Sequence, residues 1–406
     1  MNMNRVLGKV AILMISFILA SAPGARSAQT QSLVEGNTAF ALDLYAQLKT
    51  SPGNLFFSPC SISTCLAMTY AGARNDTERQ MAQVFHFTQD QAGLHSSFRE
   101  LQRRLGKAGK QKGIELSIAN ALWTQKGQAF VPGFLDIAKG EYQANINQVD
   151  FKTGAEAARK EINGWVAQKT KDKIQDILSP GSLNDLTRLV LANAIYFKGV
   201  WAKRFDKPST FTQPFHVSTA SQVDAPLMHH LDHVLYMENS EFQAVELPYS
   251  SNELSMVILL PRQVGGCGQL ETRLSPDLLS RSLSQMKVQE VEIFLPRFKL
   301  ESAFDLHAAL TKMGMADAFG PKADFSGIDG TRLLYISGVF HKAWGEVNEE
   351  GTEAAAATVV AVRTLGFHKP EPPPPTFRAD HPFIFFIRDT HSGSLLFLGR
   401  LEQPVQ

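Results

Sequence analysis

Residues 349–358, Glu349-Glu-Gly-Thr-Glu-Ala-Ala-Ala-Ala-Thr358, continue through Val359-Val-Ala-Val-Arg-Thr-Leu-Gly366 to the proline run Pro370-Glu-Pro-Pro-Pro-Pro375. The alanines favour helix, whereas Thr358, Val359, Val360 and Val362 favour strand. The prolines then impose an extended, polyproline-type exit. A segment this long without settled structure, inside a compact domain, is functional or disordered. Its alternation separates these readings. One face of an extended chain carries Thr352, Ala354, Ala356, Thr358, Val360, Val362 and Thr364, all uncharged. The other carries Glu353 and Arg363 among small and branched residues, so every charge lies on one side. A flexible acidic linker needs no such order. The stretch reads as a loop able to become a half-buried strand.

The surroundings supply strands for it to join. Short apolar or alternating runs recur at 189–197, 244–248, 254–260, 291–295, 333–336 and 382–387. Helical spacing appears at Phe40, Ala41, Leu44 and Leu48, and again at Ala158, Ile162, Trp165 and Val166. Helical patterns dominate the first half and strands the second, which reads as an α+β fold with mostly antiparallel sheets. No repeat and no linker divides the chain.

Several stretches then resemble the serpins, the serine-protease-inhibitor superfamily, over roughly residues 30–404. The hinge-like run 349–358 is one. Phe377-Arg-Ala-Asp-His-Pro-Phe-Ile-Phe-Phe386 resembles the family's C-terminal signature. Asn54-Leu-Phe-Phe-Ser-Pro-Cys-Ser-Ile62 resembles the start of the helix beneath its central sheet. Asn193-Ala-Ile-Tyr-Phe-Lys-Gly-Val-Trp201 and His341-Lys-Ala343 resemble the strands that part to admit the loop. The resemblance implies one domain, residues 28–406, of three sheets and eight or nine helices, with an exposed reactive loop over about 349–376.

It also implies a function. A serine protease attacks the loop as substrate, and the cleaved hinge enters the central sheet before the acyl-enzyme is hydrolysed. The hinge is Glu349, Glu350, Gly351, Thr352, Glu353, Ala354, Ala355, Ala356, Ala357 and Thr358. Fourteen inserted residues, Thr352 to Leu365, span ~46 Å at ~3.3 Å each. Family spacing counted from Glu349 puts the scissile bond at Leu365–Gly366, which suits chymotrypsin-like or subtilisin-like enzymes. Arg363–Thr364 is the alternative bond, for a trypsin-like enzyme. Ser58, Ser61, Asn193, Trp201 and His341 match the region where the strands separate. The rival reading is a non-inhibitory serpin with a carrier, chaperone or storage role. A monomer without cofactor is expected.

Composition narrows the remaining classes. The 406 residues hold 40 Lys+Arg against 39 Asp+Glu, with 44% hydrophobic residues. That excludes a disordered chain and argues against a nucleic-acid binder, which carries a basic excess. Arg5 and Lys9 precede the apolar run 11–20 and small residues to Ala28, the pattern of a secretory leader at 1–27. This reading predicts a secreted, extracellular protein (periplasmic in a Gram-negative source) with no membrane contact once processed. Cys60, Cys65 and Cys267 are an odd set with no zinc spacing; the first two read as buried, the third as an exposed loop residue.

Three further groups attract attention. Arg99, Arg103, Arg104, Lys107, Lys110 and Lys112 form a basic cluster where some serpins bind polyanions, although a solvated helix face explains it as well. His229-His-Leu-Asp-His233 has helical metal spacing, but its flanks read as strand and turn, so exposed histidines are expected and no metal site. Ser, Asn and His near the sheet suggest a catalytic triad. Neither Gly-x-Ser-x-Gly nor His-Glu-x-x-His occurs, and a strand-holding role is expected instead. Asn75-Asp-Thr77 is a glycosylation sequon.

Overall fold

The computed structural model describes residues 23–352 and 372–404. In chain order the strands are β1 (Leu55–Phe57), β2 (Ile114–Gln125), β3 (Asn145–Val149), β4 (Leu189–Val200), β5 (Phe211–Ser218), β6 (Ser221–Glu238), β7 (Phe242–Pro248), β8 (Leu254–Pro261), β9 (Lys287–Pro296), β10 (Phe298–Asp305), β11 (Gly338–Val347), β12 (Gly351–Thr352), β13 (Thr376–Arg378), β14 (Phe383–Asp389) and β15 (Leu395–Leu401). The helices are α1 (Pro23–Leu48), α2 (Pro59–Tyr70), α3 (Asn75–Val84), α4 (Gln91–Ala108), α5 (Pro132–Tyr142), α6 (Phe151–Lys169), α7 (Cys267–Arg273), α8 (Pro276–Gln285), α9 (His307–Met313) and α10 (Ser326–Asp329).

The strands form two hydrogen-bonded networks. One has six strands, in the order β10-β11-β4-β2-β3 with β12 attached to β4. The other has nine, β1-β15-β14-β8-β7-β6-β9-β13 with β5 on β6. The third sheet expected from the resemblance is merged into the larger network, because the 18-residue β6 pairs with β5 and β9 and, at its end, with β7. Three described pairings, β11–β4, β2–β3 and β13–β9, are parallel, and the rest are antiparallel.

Period-2 patterning explains how β4 holds the centre. Leu189, Leu191, Ile195 and Phe197 face the main core, while Val190, Ala192, Ala194 and Tyr196 face a second, smaller core. Helix α6 closes that second core with Ala158, Ile162 and Val166 at helical spacing. Beneath the sheet lies α2, with all twelve residues buried. Ser58 caps it by accepting a hydrogen bond from the Ser61 N–H, and Pro59 fits the first turn, where no N–H is needed.

Some local expectations change. Cys267 is buried at the start of α7 rather than exposed on a loop, and burial pushes its thiol up to about 12. Cys60 and Cys65 are buried and unpaired. His229 and His230 lie mid-strand in β6. His230 is buried, stacked on Phe205 at 3.9 Å, and only His233 is fully exposed. Helix α1 begins at Pro23 and runs through the expected leader junction at residues 27–28. Among the described residues no helix is long and apolar enough to cross a membrane.

Candidate functional site

The seam between β4 and β11 is where the predicted residues converge. These strands pair in parallel from Gly338↔Val190 to Trp344↔Tyr196, then diverge. β12 enters the gap at their upper end. Gly351 pairs antiparallel with Val200, and Thr352 with Gly199. The stretch that resembles the hinge therefore has two residues, Gly351 and Thr352, already paired with β4.

Each hinge residue at this end has a defined job. Gly351 has φ +143°, and a Cβ there would sit 1.9 Å from the Gly199 carbonyl oxygen, so only glycine allows the approach. Thr352 is buried, with its hydroxyl 3.1 Å from the Tyr249 hydroxyl. Glu349 is buried and accepts from Arg297 Nε at 2.7 Å and Thr210 Oγ1 at 2.6 Å. Burial opposes its charge, but these bonds prevail and hold its carboxyl below the usual range. Glu350 pairs with Lys207 at 3.1 Å and Arg204 at 3.8 Å.

Trp201 ties the strand end to the hinge. Its N–H donates to the Glu350 carbonyl at 2.8 Å, and its indole Nε1 donates to Asn348 O at 3.0 Å. Its ring stacks on Tyr249 at 4.7 Å.

Lower on the seam, Asn120, Asn193 and His341 stand in register across β2, β4 and β11. The Ser58 N–H donates to His341 Nε2 at 3.1 Å, which leaves Nδ1 as the donor to Asn193 Oδ1. Asn193 Nδ2 donates to Ser61 Oγ at 2.6 Å and to Asn120 Oδ1. Burial pushes His341 down to about 3, so the ring is neutral. Its one acceptor nitrogen is occupied by a backbone N–H. No serine hydroxyl here has a base to take its proton, and the group is sealed from substrate. The arrangement holds strands together.

The other candidates are more dispersed. Arg99 pairs with Glu141 at 2.9 Å, Arg103 with Glu100 at 2.5 Å, and Arg104 with Asp389 at 2.5 Å. Lys107, Lys110 and Lys112 have no ion pair among the described residues. Within the sequon Asn75 is exposed, with its amide donating to Asp324 at 2.7 Å, and Thr77 is buried. Residues 353–358 of the hinge, both candidate scissile bonds and residues 367–371 lie outside the described residues.

Asn120, Tyr249, Thr210, Arg297, Arg204 and Lys207 were not anticipated. Only Asn120 left a trace, as an amide inside the apolar alternation Ile118-Ala-Asn-Ala-Leu122. The others lie far away in sequence and reach the hinge only through the fold.

Comparison with known proteins agrees with this geometry. The description "serpin (serine protease inhibitor)" matches residues 35–404. The leukocyte elastase inhibitor of Xenopus tropicalis is 41% identical over 92% of this chain and 100% of its own length. Human serpin B3 is 39% identical, with the same two coverages. Human thyroxine-binding globulin, solved in complex with thyroxine, superposes with a TM-score of 0.83 at 29% identity, covering 94% of this chain and 100% of its own.

These relatives correct one expectation. Leukocyte elastase inhibitor and serpin B3 are intracellular serpins without a leader, which points away from secretion. The extracellular or periplasmic assignment rested on the charge, apolar-run and small-residue pattern of 1–27, and it is overturned. With a family match across 35–404 and relatives aligned over their whole length, the chain belongs to the serpins, inhibitors of proteases rather than enzymes.

Proposed function

We propose that the chain inhibits serine proteases as a suicide substrate. The observation that carries this is the paired start of the hinge, Gly351–Thr352 on β4, followed in sequence by small uncharged residues at every inward position. In this reading the protease serine attacks the Leu365 carbonyl, the acyl bond forms, and the Gly366 amine leaves with the proton delivered by the protease's histidine. The freed hinge then extends β12 downward between β4 and β11. That movement replaces one parallel pairing with two antiparallel ones, which are slightly more stable per residue. It draws the tethered protease away from the geometry that deacylation requires.

The fold alone supports either role, since a hormone-binding serpin superposes closely. The hinge separates them. Charged, bulky or proline residues on its inward face would block insertion, and none occurs from Thr352 to Val362. The names of the elastase-inhibitor relatives favour a protease target, and Leu365 favours one with an apolar pocket. The test is incubation with chymotrypsin-like, subtilisin-like and trypsin-like enzymes, followed by denaturing gels and mass spectrometry. A covalent complex with a cut at Leu365–Gly366 is expected. Clean cleavage with fully active protease across the panel would establish the non-inhibitory reading.

A further inference from the structure

Two aromatic rings face each other across the outer side of the seam. Tyr196 on β4 and Trp344 on β11 are register partners with ring centroids 5.6 Å apart. Lys173, from the segment that follows α6, spans both. Its Nζ lies 5.1 Å from the Trp344 ring and 5.9 Å from Tyr196. The same segment is fastened a second time to β11, where Lys342 Nζ donates to Gln175 O at 2.7 Å. It is anchored to α6 as well, since Arg159 and Asn163 both donate to the Leu178 carbonyl. One cation thus joins three elements that must move apart when a strand enters between β4 and β11.

The register sets when this happens. β12 pairs Thr352 with Gly199, and an antiparallel extension would bring residue 355 opposite Tyr196. Both positions share the outward parity, because Tyr196 packs into the outer core while Thr352 points inward to Tyr249. The Asn193–His341 lock lies three residues further, opposite position 358. The aromatic pair is therefore met before that lock.

We propose that Lys173 is a positioning residue that sets the rate of strand insertion, a latch on the outer face of the β4/β11 seam. The proposal rests on the inhibitory reading and assigns a timing element to it. Loosening the latch speeds insertion once the loop is cut, and also lets the resting molecule accept a strand more readily.

The test measures annealing of a synthetic peptide of sequence 352–365 into the intact full-length protein, with no protease present. Lys173→Met keeps the stem and removes the charge; Lys173→Arg keeps a cation over the rings. Lys169→Met is the control, since Lys169 sits 6.0 Å over Trp165 of the same helix and bridges no seam. Lys173→Met should anneal about three- to tenfold faster, the equivalent of a cation–π contact of about 0.7–1.4 kcal/mol. Lys173→Arg should restore the wild-type rate, and Lys169→Met should leave it unchanged. Equal rates for Lys173→Met and wild type would overturn the latch while leaving the inhibitory reading intact. Equal acceleration by Lys169→Met would overturn it too, by showing general loosening of α6. Failure of every form to anneal would overturn the inhibitory reading and the latch together.

Discussion

In the proposed mechanism Thr352 is the first side chain that the sheet must accommodate as the hinge inserts. It is 2% exposed and shares a hydrogen bond with Tyr249, beside Phe197 and Trp201. A charge there, with only the Tyr249 hydroxyl bonded to this position among the described residues, would carry several kcal/mol of desolvation cost. Thr352→Arg should expel the hinge from the sheet. Because the loop itself is unchanged, the protease still cuts it, but trapping fails. The stoichiometry of inhibition should rise by about tenfold or more while cleavage stays fast; an undiminished covalent complex would refute the role given to Thr352. Arg297 offers a second test. Removing it leaves the buried Glu349 carboxylate with Thr210 as its remaining side-chain donor. Arg297→Met should therefore lower stability at pH 7 by about 1–3 kcal/mol in urea melts. Wild-type Glu349 has a depressed carboxyl, so its contribution is present at neutral pH and lost as the carboxyl protonates. The difference between variant and wild type should accordingly shrink towards pH 4. A gap that is constant with pH would show that Arg297 acts through packing alone.

At the scale of elements, the seam between β4 and β11 is held by a neutral histidine, which makes it sensitive to acid. Burial pushes His341 down to about 3, against about 6.5 in an unfolded chain. Between these values the unfolded state binds the extra proton, so stability is full above the unfolded value and falls as pH drops through it. The slope is up to about 1.4 kcal/mol per pH unit for each such histidine. His95 and His230, both pushed down to about 4 by burial, act in the same direction. Between pH 6.5 and 5, before most carboxylates titrate, stability should fall measurably. His341→Gln should reduce that slope by close to one proton, whatever it does to stability at pH 7. An unchanged slope would place the acid sensitivity elsewhere. This lock also shows what could be read from the chain. Asn193 and His341 were identifiable from local motifs. Their partner Asn120 left only a polar break in a strand, and the hydrogen bonds among them depend on a register of strands distant in sequence.

The whole molecule departs from a simple reading of its sequence at the hinge. Alternation along 352–364 reads as a strand in waiting, and the resemblance supplies the sheet it would join; residues 353–364 lie outside the described residues. Neither revealed that Gly351 and Thr352 are already paired, because that depends on Gly199 and Tyr249 leaving room at one strand end. Nor did the leader-like pattern of 1–27 settle the compartment; the relatives point away from secretion. In the proposed mechanism the sheet has room for one more strand between β4 and β11. About a dozen further residues entering it, at a net ~0.5–1.5 kcal/mol per ladder hydrogen bond, would release on the order of 10 kcal/mol. With an unfolding entropy of ~2.1 cal/mol/K per residue, a domain of this length shifts by roughly 1.3 °C per kcal/mol, so loop cleavage should raise Tm by roughly 10–15 °C. The measurement is calorimetry of intact and loop-cleaved protein with both fragments retained. Thr352→Arg cleaved in the same way provides the contrast, because its hinge cannot start to insert. Its Tm should stay near that of the intact form. If wild type and variant rise equally, the added stability comes from releasing the loop and not from completing the sheet.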